Sequence, residues 1–240
     1  GHVLSGQSQV PTEYEHWILK FDGVRDLELG ESNGFGRIEY AYALMAHAAG
    51  IEMTECQLLE ESSRAHFLTR RFDRKAGRKI HMQSLCGLGH YDYNMAGAYG
   101  YEQAFAIMRA LRLTKAEATQ QYRRMVFNVI ARNQDDHTKN IAFLMERDGT
   151  WRLSPAFDIT WAHNPAGKWT NKHQMTINGK RDHFMIEDLI TVGEGISLPR
   201  PRKIIEEILN TVKDWPIFAA QAGVPQKHQD LIAKSHRLIW

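Results

Sequence analysis

The feature that most constrains the fold is a long amphipathic helix followed directly by a polar segment. Thr114 and Glu117 have the spacing of a capping box, in which each side chain bonds a backbone N–H at the opposite end of the first turn. Apolar residues then recur at helical spacing, at Tyr122, Met125, Val126, Val129 and Ile130. We therefore expect a buried helix that ends next to Asn133.

The polar segment after this helix contains Asp135, Asp136 and Asn140, and a second polar segment ends at Asp158. Kinase-type phosphoryl transfer needs such a set, with one carboxylate near the acceptor hydroxyl and an Asn and an Asp on the magnesium ions. The spacing D-x-x-x-x-N selects Asp135 over Asp136 as the first carboxylate. Alone, this spacing recurs by chance in many chains.

A predicted β-hairpin connects the two polar segments. Its strands are residues 141–145 and 151–153, and Asp148-Gly149 is a strong turn dipeptide between them. The hairpin would hold Asp135 and Asn140 at one end and return the chain to Asp158 beside them.

The first 70 residues have the pattern of a small α+β unit. We predict strands over residues 16–21, 55–59 and 66–72, and a helix over 37–49 that Asn33 caps and Gly50 ends. Glu39 is expected in the first turn of that helix, where the helix dipole favours a carboxylate.

The remainder of the chain is predicted to be mainly helical. One further strand is expected over residues 79–85, a loop over 87–100, and a loop-rich region over 161–188. Helices are predicted over residues 101–111, 203–212, 215–222 and 226–238. The β-α-β-α alternation of a doubly wound parallel sheet does not occur.

Composition excludes several classes of protein. A net charge of +2 over 240 residues does not indicate a nucleic-acid-binding footprint. Cys56 and Cys86 have the spacing of neither a zinc site nor a disulfide framework, which fits a reducing cytoplasm. No apolar stretch approaches the ~20 residues of a membrane helix, and no signal peptide opens the chain. We expect a cytoplasmic protein with no membrane contact. The chain begins at Gly1 without a Met, so a fragment, an added N-terminal tag and a partly ordered chain are all open as explanations.

Five segments taken together resemble the HipA-type kinases, the serine/threonine kinase toxins of bacterial type II toxin–antitoxin pairs. They occur in the family's order and spacing between about residues 17 and 160, and residues 173–180 are similar to a further family segment. The five segments are Trp17–Phe21, Arg37–Tyr40, Arg71–Arg74, Asp135–Asn140 and Leu153–Asp158.

The resemblance implies an α+β fold of the two-lobed, protein-kinase-like type, with a small α+β N-lobe and a larger, mostly helical C-lobe. Residues 1–70 would form part of the N-lobe, and residues 71–240 the hinge and the C-lobe with the catalytic and metal-binding segments. The family's Gly- and Ser-containing phosphate-binding loop has no convincing copy before Lys20. Ser5 to Ser8 contains small residues but lies too close to Lys20 and has no flanking strand. The family's small N-terminal domain is also expected to be missing.

The resemblance also assigns an ATP site. Lys20 matches the strand lysine that contacts the nucleotide phosphates, and Glu39 matches its carboxylate partner on the neighbouring helix. The hinge would meet the adenine through its backbone and Phe72, with Asp73 near the ribose, although Phe72 could equally be a core residue. The ATP-binding residues implied in the hinge are Arg70, Arg71, Phe72 and Asp73.

The catalytic and metal-binding residues follow from the same resemblance. Asp135 would orient or deprotonate the acceptor hydroxyl, and Asn140 and Asp158 would hold Mg²⁺, which prefers oxygen ligands. Lys139 would supply charge in the transition state, with a solvent-facing lysine as the alternative. His137 is expected to be a structural hydrogen-bonding residue near the site rather than a catalytic base.

The expected partners are a protein substrate with a Ser or Thr acceptor and a helix-turn-helix antitoxin, which would bring in operator DNA indirectly. The resemblance implies a toxin that acts on a translation factor such as an aminoacyl-tRNA synthetase. Two other hypotheses stay open, as does a small-molecule acceptor for the kinase. One is a non-catalytic kinase-like module that binds an antitoxin. The other is a divalent-metal hydrolase with Asp135, Asp136 and His137 as ligands, joined by His163 or Asp158.

Overall fold

The structure is a computed structural model that describes residues 11, 14–23, 25–26, 30–31, 34–62, 64–75 and 77–239. Within these residues, short antiparallel sheets and eight helices form a mixed α/β fold. The strands are β1 Trp17–Lys20, β2 Arg25–Asp26, β3 Gly30–Glu31, β4 Cys56–Glu61, β5 Arg64–Arg70, β6 Arg74–Lys75, β7 Arg78–Lys79, β8 His81–Ser84, β9 Ala142–Met145 and β10 Trp151–Leu153. The helices are α1 Phe35–Ala48, α2 Leu85–Gly89, α3 Tyr101–Ala110, α4 Lys115–Ile130, α5 Ile186–Gly195, α6 Pro201–Lys213, α7 Trp215–Gln221 and α8 Gln226–Ser235.

Helix α1 packs against a three-stranded sheet with the strand order β1-β5-β4. The approach is very close at Gly36, where an added Cβ would lie 2.0 Å from the backbone oxygen of Ala65 on β5. Any side chain at Gly36 would push the helix and the sheet apart. Lys20 ends β1 and Glu39 lies on α1, so this packing brings the two residues together.

The other face of α1 packs against the C-terminal helices. The Tyr42 hydroxyl donates a hydrogen bond to the Ala131 oxygen at 2.6 Å, and its ring meets Trp215 edge-on at 5.3 Å between centroids. A single hydrophobic core therefore includes residues from α1, α4, α6 and α7. A division into two lobes near residue 70 stays a prediction.

The strongest sequence patterns correspond to observed elements. The capping box at the start of α4 is present, since Glu117 N–H donates to Thr114 Oγ1 and the Glu117 carboxylate accepts from Thr114 N–H. The predicted apolar face of α4 is fully buried. Strands β9 and β10 pair as the predicted hairpin, and β8 adds to the same sheet.

The predicted helix is present as α1, but one prediction about it was wrong. The helix begins at Phe35, two residues before the predicted start, and Gly34 precedes it with a φ of 94°. Glu39 is therefore in the second turn, buried on the inner face, and the helix dipole does not explain it. Gly50 ends the helix with a positive φ, as predicted.

Helices α2 and α5 and the short pairs β2–β3 and β6–β7 were not predicted. The proposed cap Asn33 and the segment from Ser5 to Ser8 lie outside the described residues. Across the described part of the chain, the helices are too short or too polar to cross a membrane.

Candidate functional site

The chain leaves α4 and runs beside the segment that follows Asp158. Gln134 N–H donates to the Ala162 oxygen at 3.0 Å, and Ala162 N–H donates to the Arg132 oxygen at 3.2 Å. These bonds hold the two polar segments side by side. Two stretches that are distant in sequence thus form one surface.

Asp136 anchors this surface from inside the protein. Its buried carboxylate accepts hydrogen bonds from Tyr101 Oη at 2.9 Å, His173 Nδ1 at 2.9 Å and Gln174 N–H at 2.8 Å. Burial by itself would raise the pKa of Asp136, but His173 and the three hydrogen bonds outweigh it, so the pKa lies below its usual range. Asp136 is a structural carboxylate.

Asp135, the next residue back, has the opposite environment. Its side chain is about half exposed, and its Oδ1 lies 3.8 Å from His137 Nε2. Burial of the remaining part raises the pKa of Asp135, and the carboxylates of Asp136 and Asp158 raise it further. His137 and Lys20 act in the opposite direction without cancelling the increase. A raised pKa makes Asp135 a stronger base than an ordinary carboxylate.

Asn140 closes the loop that carries Asp135. Its side-chain nitrogen Nδ2 donates to the Asp135 backbone oxygen at 2.9 Å, and its own N–H donates to the His137 oxygen at 2.9 Å. The five-residue spacing is thus a closed turn. Because Nδ2 faces the Asp135 backbone, the amide oxygen of Asn140 points away from this loop.

Lys20, Glu39 and Asp158 meet although β1, α1 and the 154–158 segment are far apart in sequence. Lys20 Nζ donates to Glu39 Oε1 at 2.7 Å and also to Asp158 Oδ1. Burial lowers the pKa of Lys20, but the two carboxylates outweigh it and raise the pKa above its ordinary value. Burial also raises the pKa of Glu39, against the effect of Lys20. The result is a cation fixed beside an exposed carboxylate.

Asp158 has a left-handed backbone conformation, with a φ of 51°. This conformation is uncommon for residues other than glycine and costs roughly 1 kcal/mol. Such strain is typical of functional positions, where the surrounding structure holds a side chain in one direction.

Asp158 and Asn140 line the same small cavity, of about 20 Å³, together with Arg124. A cavity of this size holds about one water molecule or ion. The carboxylate of Asp158 and the amide oxygen of Asn140 are hard oxygen donors, so both residues are suitable ligands for Mg²⁺. A magnesium ion would draw the remaining ligands from phosphate and water.

Arg124 was missed by the sequence reasoning. Its buried guanidinium donates from Nη2 to the Ser154 oxygen at 2.8 Å, and burial lowers its pKa to about 10. This bond fixes the start of the segment that ends at Asp158. A charged residue one position before the buried Met125 was the sequence signal for it.

The predicted hinge residues lie close to this site. Asp73 accepts two hydrogen bonds from Arg71, at 2.8 and 2.7 Å, and a third from Arg74. Burial would raise the pKa of Asp73, but the two arginines hold it below its usual range. The Phe72 ring packs on Phe157 at 5.6 Å between centroids, so the hinge contacts the residue next to Asp158.

Arg70, the remaining hinge residue, is ion-paired to Glu15 at 2.8 Å. Lys139 lies elsewhere, with its Nζ 3.2 Å from the centre of the Tyr93 ring. Its ammonium is therefore held over an aromatic face on the Asp135 side of the site. The ATP and transition-state roles of these residues stay predictions.

The ligand set of a metal hydrolase is not assembled. The Asp136 carboxylate is occupied by three protein donors, and His163 Nδ1 lies 2.5 Å from Gln134 Oε1. Within the described ranges, His, Cys, Asp and Glu side chains form no group of three that could hold a metal ion.

Comparison with known proteins identifies the family. The sequence pattern of the HipA-like C-terminal domain matches residues 3–215. The chain belongs to this family. A Haemophilus influenzae protein described as "Putative kinase" is 24% identical over 199 residues, which covers 71% of the chain and 58% of that protein.

Two solved structures are similar to this HipA-like chain. HipA in the Shewanella oneidensis MR-1 complex of HipA, HipB and operator DNA superposes with a TM-score of 0.70 at 16% identity, covering 91% of the chain and 55% of that protein. The Helicobacter pylori proinflammatory kinase CtkA gives a TM-score of 0.54 at 12% identity, covering 92% and 84%.

The chain spans little more than half the length of the Haemophilus influenzae and Shewanella oneidensis proteins. The resemblance seen in the sequence is confirmed at the level of the family and its fold. Membership of a family of HipA-type kinases indicates a kinase or kinase-like function.

Proposed function

We propose that this HipA-like chain is an ATP- and magnesium-dependent serine/threonine protein kinase. The observation that carries the proposal is the contact of Lys20 with both Glu39 and Asp158, beside the closed loop from Asp135 to Asn140. Kinase-type transfer needs these side-chain types in one place.

Lys20 binds the nucleotide phosphates in this proposal. Glu39 holds the ammonium at 2.7 Å, so the flexible side chain is already positioned before the nucleotide arrives. The two carboxylates also keep Lys20 protonated at neutral pH, because they raise its pKa. The hinge from Arg70 to Asp73 receives the adenosine end.

Asn140 and Asp158 would hold magnesium, which would neutralise charge on the phosphates. Arg124 keeps the Asp158 segment in place through Ser154, and the Asn140–Asp135 bond keeps Asn140 and the catalytic Asp135 in one closed loop. Lys139 adds positive charge at the Asp135 side of the site.

Asp135 accepts the proton of the acceptor hydroxyl. The hydroxyl oxygen forms a bond to the γ-phosphorus, the bond from that phosphorus to the bridging oxygen of ADP breaks, and ADP leaves with the electron pair. His137 lies 3.8 Å from the Asp135 carboxylate and opposes the rise that burial causes in the pKa of Asp135.

The proposed biological role is that of a toxin that phosphorylates a translation factor, such as an aminoacyl-tRNA synthetase. Family membership supports it, and HipA in the similar Shewanella structure is in complex with HipB and operator DNA. A helix-turn-helix antitoxin is the proposed partner, with DNA contacted through it.

The test is transfer of the γ-phosphoryl group from radiolabelled ATP, with Asp135→Ala compared with Asp148→Ala. Loss of a positioned base costs about 10²- to 10⁴-fold, whereas Asp148 lies in the exposed β9–β10 turn and its loss should change little. Normal turnover by Asp135→Ala would refute the assignment. Nucleotide binding by the folded wild type without any transfer would favour the non-catalytic module.

A further inference from the structure

Asp135 lies between two cavities. The larger, which we call the α8 cavity, has a volume of about 620 Å³, and its apolar wall is formed by Phe35, Trp161, Pro165 and Leu231. The smaller, which we call the Tyr93 cavity, has a volume of about 290 Å³. Asp135 belongs to the wall of both.

This arrangement constrains the acceptor. A hydroxyl that reaches Asp135 lies at the common wall of the α8 cavity and the Tyr93 cavity, so the groups bonded to it can extend into both. An extended polypeptide advances about 3.3–3.6 Å per residue and continues in both directions from a Ser or Thr. A small hydroxyl compound would fill one cavity at most.

The α8 cavity suits an apolar side chain. Its volume is in the range of ligand pockets, roughly 300–1,000 Å³. The Trp161 ring is held in place by a 3.0 Å hydrogen bond from Nε1 to Ser235 Oγ. Leu231 on α8 is 50% exposed, so it presents apolar surface at the mouth of the cavity.

The Tyr93 cavity suits an acidic side chain. Its walls include the rings of Tyr93 and Trp169, and each ring carries a lysine. Lys139 Nζ lies 3.2 Å from the Tyr93 centroid, and Lys168 Nζ lies 4.8 Å from the Trp169 centroid. Within the described residues neither ammonium is paired with a carboxylate, so the two charges can be neutralised by a bound acidic group.

We propose that the acceptor is an extended polypeptide whose Ser or Thr lies over Asp135, with an apolar neighbour on one flank in the α8 cavity and an acidic neighbour on the other in the Tyr93 cavity. This inference rests on the proposed kinase function and adds which residues are preferred on either side of the acceptor Ser or Thr. It assigns Leu231 and Lys168 as specificity residues that take no part in the chemistry.

The test uses a degenerate peptide library with a central Ser or Thr and one flanking position fixed at a time. The full chain is assayed with magnesium-ATP for transfer and, separately, with magnesium-ADP for peptide capture by affinity mass spectrometry, which needs no turnover. We expect enrichment of Leu, Ile or Phe on one flank and of Asp or Glu on the other.

Two variants assign the preferences to the cavities. Leu231→Asp should reduce the apolar preference about tenfold, the effect of one lost apolar contact, with nucleotide binding unchanged. Ile217→Asp, which makes the same change at an exposed position of α7, should have no effect. Lys168→Ala should weaken the acidic preference alone.

The outcomes separate this inference from the proposed function. Transfer or peptide capture with no flanking preference would overturn the two-cavity proposal and leave the kinase function standing. Transfer to small hydroxyl compounds but not to peptides would overturn the polypeptide acceptor. Absence of both nucleotide binding and transfer would overturn the kinase function and this inference with it.

Discussion

Asp135 and Asp136 are adjacent, and the structure predicts opposite results when each is replaced by alanine. The Asp136→Ala variant removes a buried carboxylate and leaves three donors, Tyr101, His173 and Gln174, without their acceptor. Breaking a buried charged pair by removing one partner costs about 3–5 kcal/mol. A chain of this length loses roughly 2–4 °C in Tm per kcal/mol. We therefore expect Tm to fall by roughly 6–20 °C.

The matched control is Asp135→Ala. Its carboxylate is half exposed and its ion-pair contact with His137 is long, at 3.8 Å, so its removal should cost less than about 1 kcal/mol. For both variants, thermal unfolding followed by circular dichroism gives Tm, and urea unfolding gives the free energy of unfolding. An additional variant, Asp136→Asn, keeps one acceptor oxygen and should fall between the wild type and Asp136→Ala. Equal stability of the Asp135 and Asp136 alanine variants would refute the structural role of Asp136.

Three further predictions use other parts of the structure. Gly36→Ala should destabilise the fold by about 3 kcal/mol because the added Cβ would clash with β5. The control Gly195→Ala has open space around it and should be within about 1 kcal/mol of the wild type. Urea unfolding measures the stability of both variants. Burial lowers the pKa of His236 to about 3. Below pH ~6.5 the unfolded state therefore binds a proton on this histidine that the folded state does not bind, and the free energy of unfolding should fall by about 1.4 kcal/mol per pH unit. A flat stability profile between pH 7 and 5 would contradict this. Burial raises the pKa of Asp135, so the rate of phosphoryl transfer should begin to fall, as the pH is lowered, above the ordinary carboxylate value of pH ~4. In His137→Ala this fall should begin at a still higher pH, because His137 opposes the rise in the pKa of Asp135. A fall that begins at the same pH in the His137 variant would argue against the base role.

The sequence predicted those parts of the fold that depend on local periodicity. Helix α4 and the β9–β10 hairpin have strong repeating patterns and defined capping or turn residues, so their positions were predicted to within about two residues. The spacing of Asp135 and Asn140 is also local, and the structure closes it with a single hydrogen bond.

Helix α5 has no comparable local signal. It contains Gly193 and Gly195, which weaken an isolated helix. Its stability comes from tertiary packing, since Leu189 and Val192 are buried and the Leu189 oxygen accepts a hydrogen bond from Tyr122. Such packing cannot be inferred from the segment alone.

The start of α1 was predicted too late for a different reason. The helix was predicted to begin at residue 37, which leaves Gly36 outside it, but Gly36 lies in the first turn and allows the close approach of the helix to Ala65. A glycine that precedes a helix and one that lies in its first turn look identical in a sequence. Only the position of β5 distinguishes them.

The candidate site shows the same limit. The motifs pointed to Lys20, Glu39 and Asp158 through family resemblance, and the structure brings the three together. The supporting residues Arg124 and His173 make contacts 30 and 37 residues away in sequence. No local sequence pattern predicts these contacts. The difference between the buried surroundings of Asp136 and the half-exposed surroundings of Asp135 is therefore visible only in the structure.

The most direct test of the kinase proposal is calorimetry of ATP binding with and without magnesium, comparing the wild-type chain with Asp158→Ala. The proposal predicts that wild-type binding requires magnesium and is lost or much weakened in the variant, while Asp135→Ala binds like the wild type. Binding that is independent of magnesium and unchanged in Asp158→Ala, or no binding by a folded chain, would contradict it.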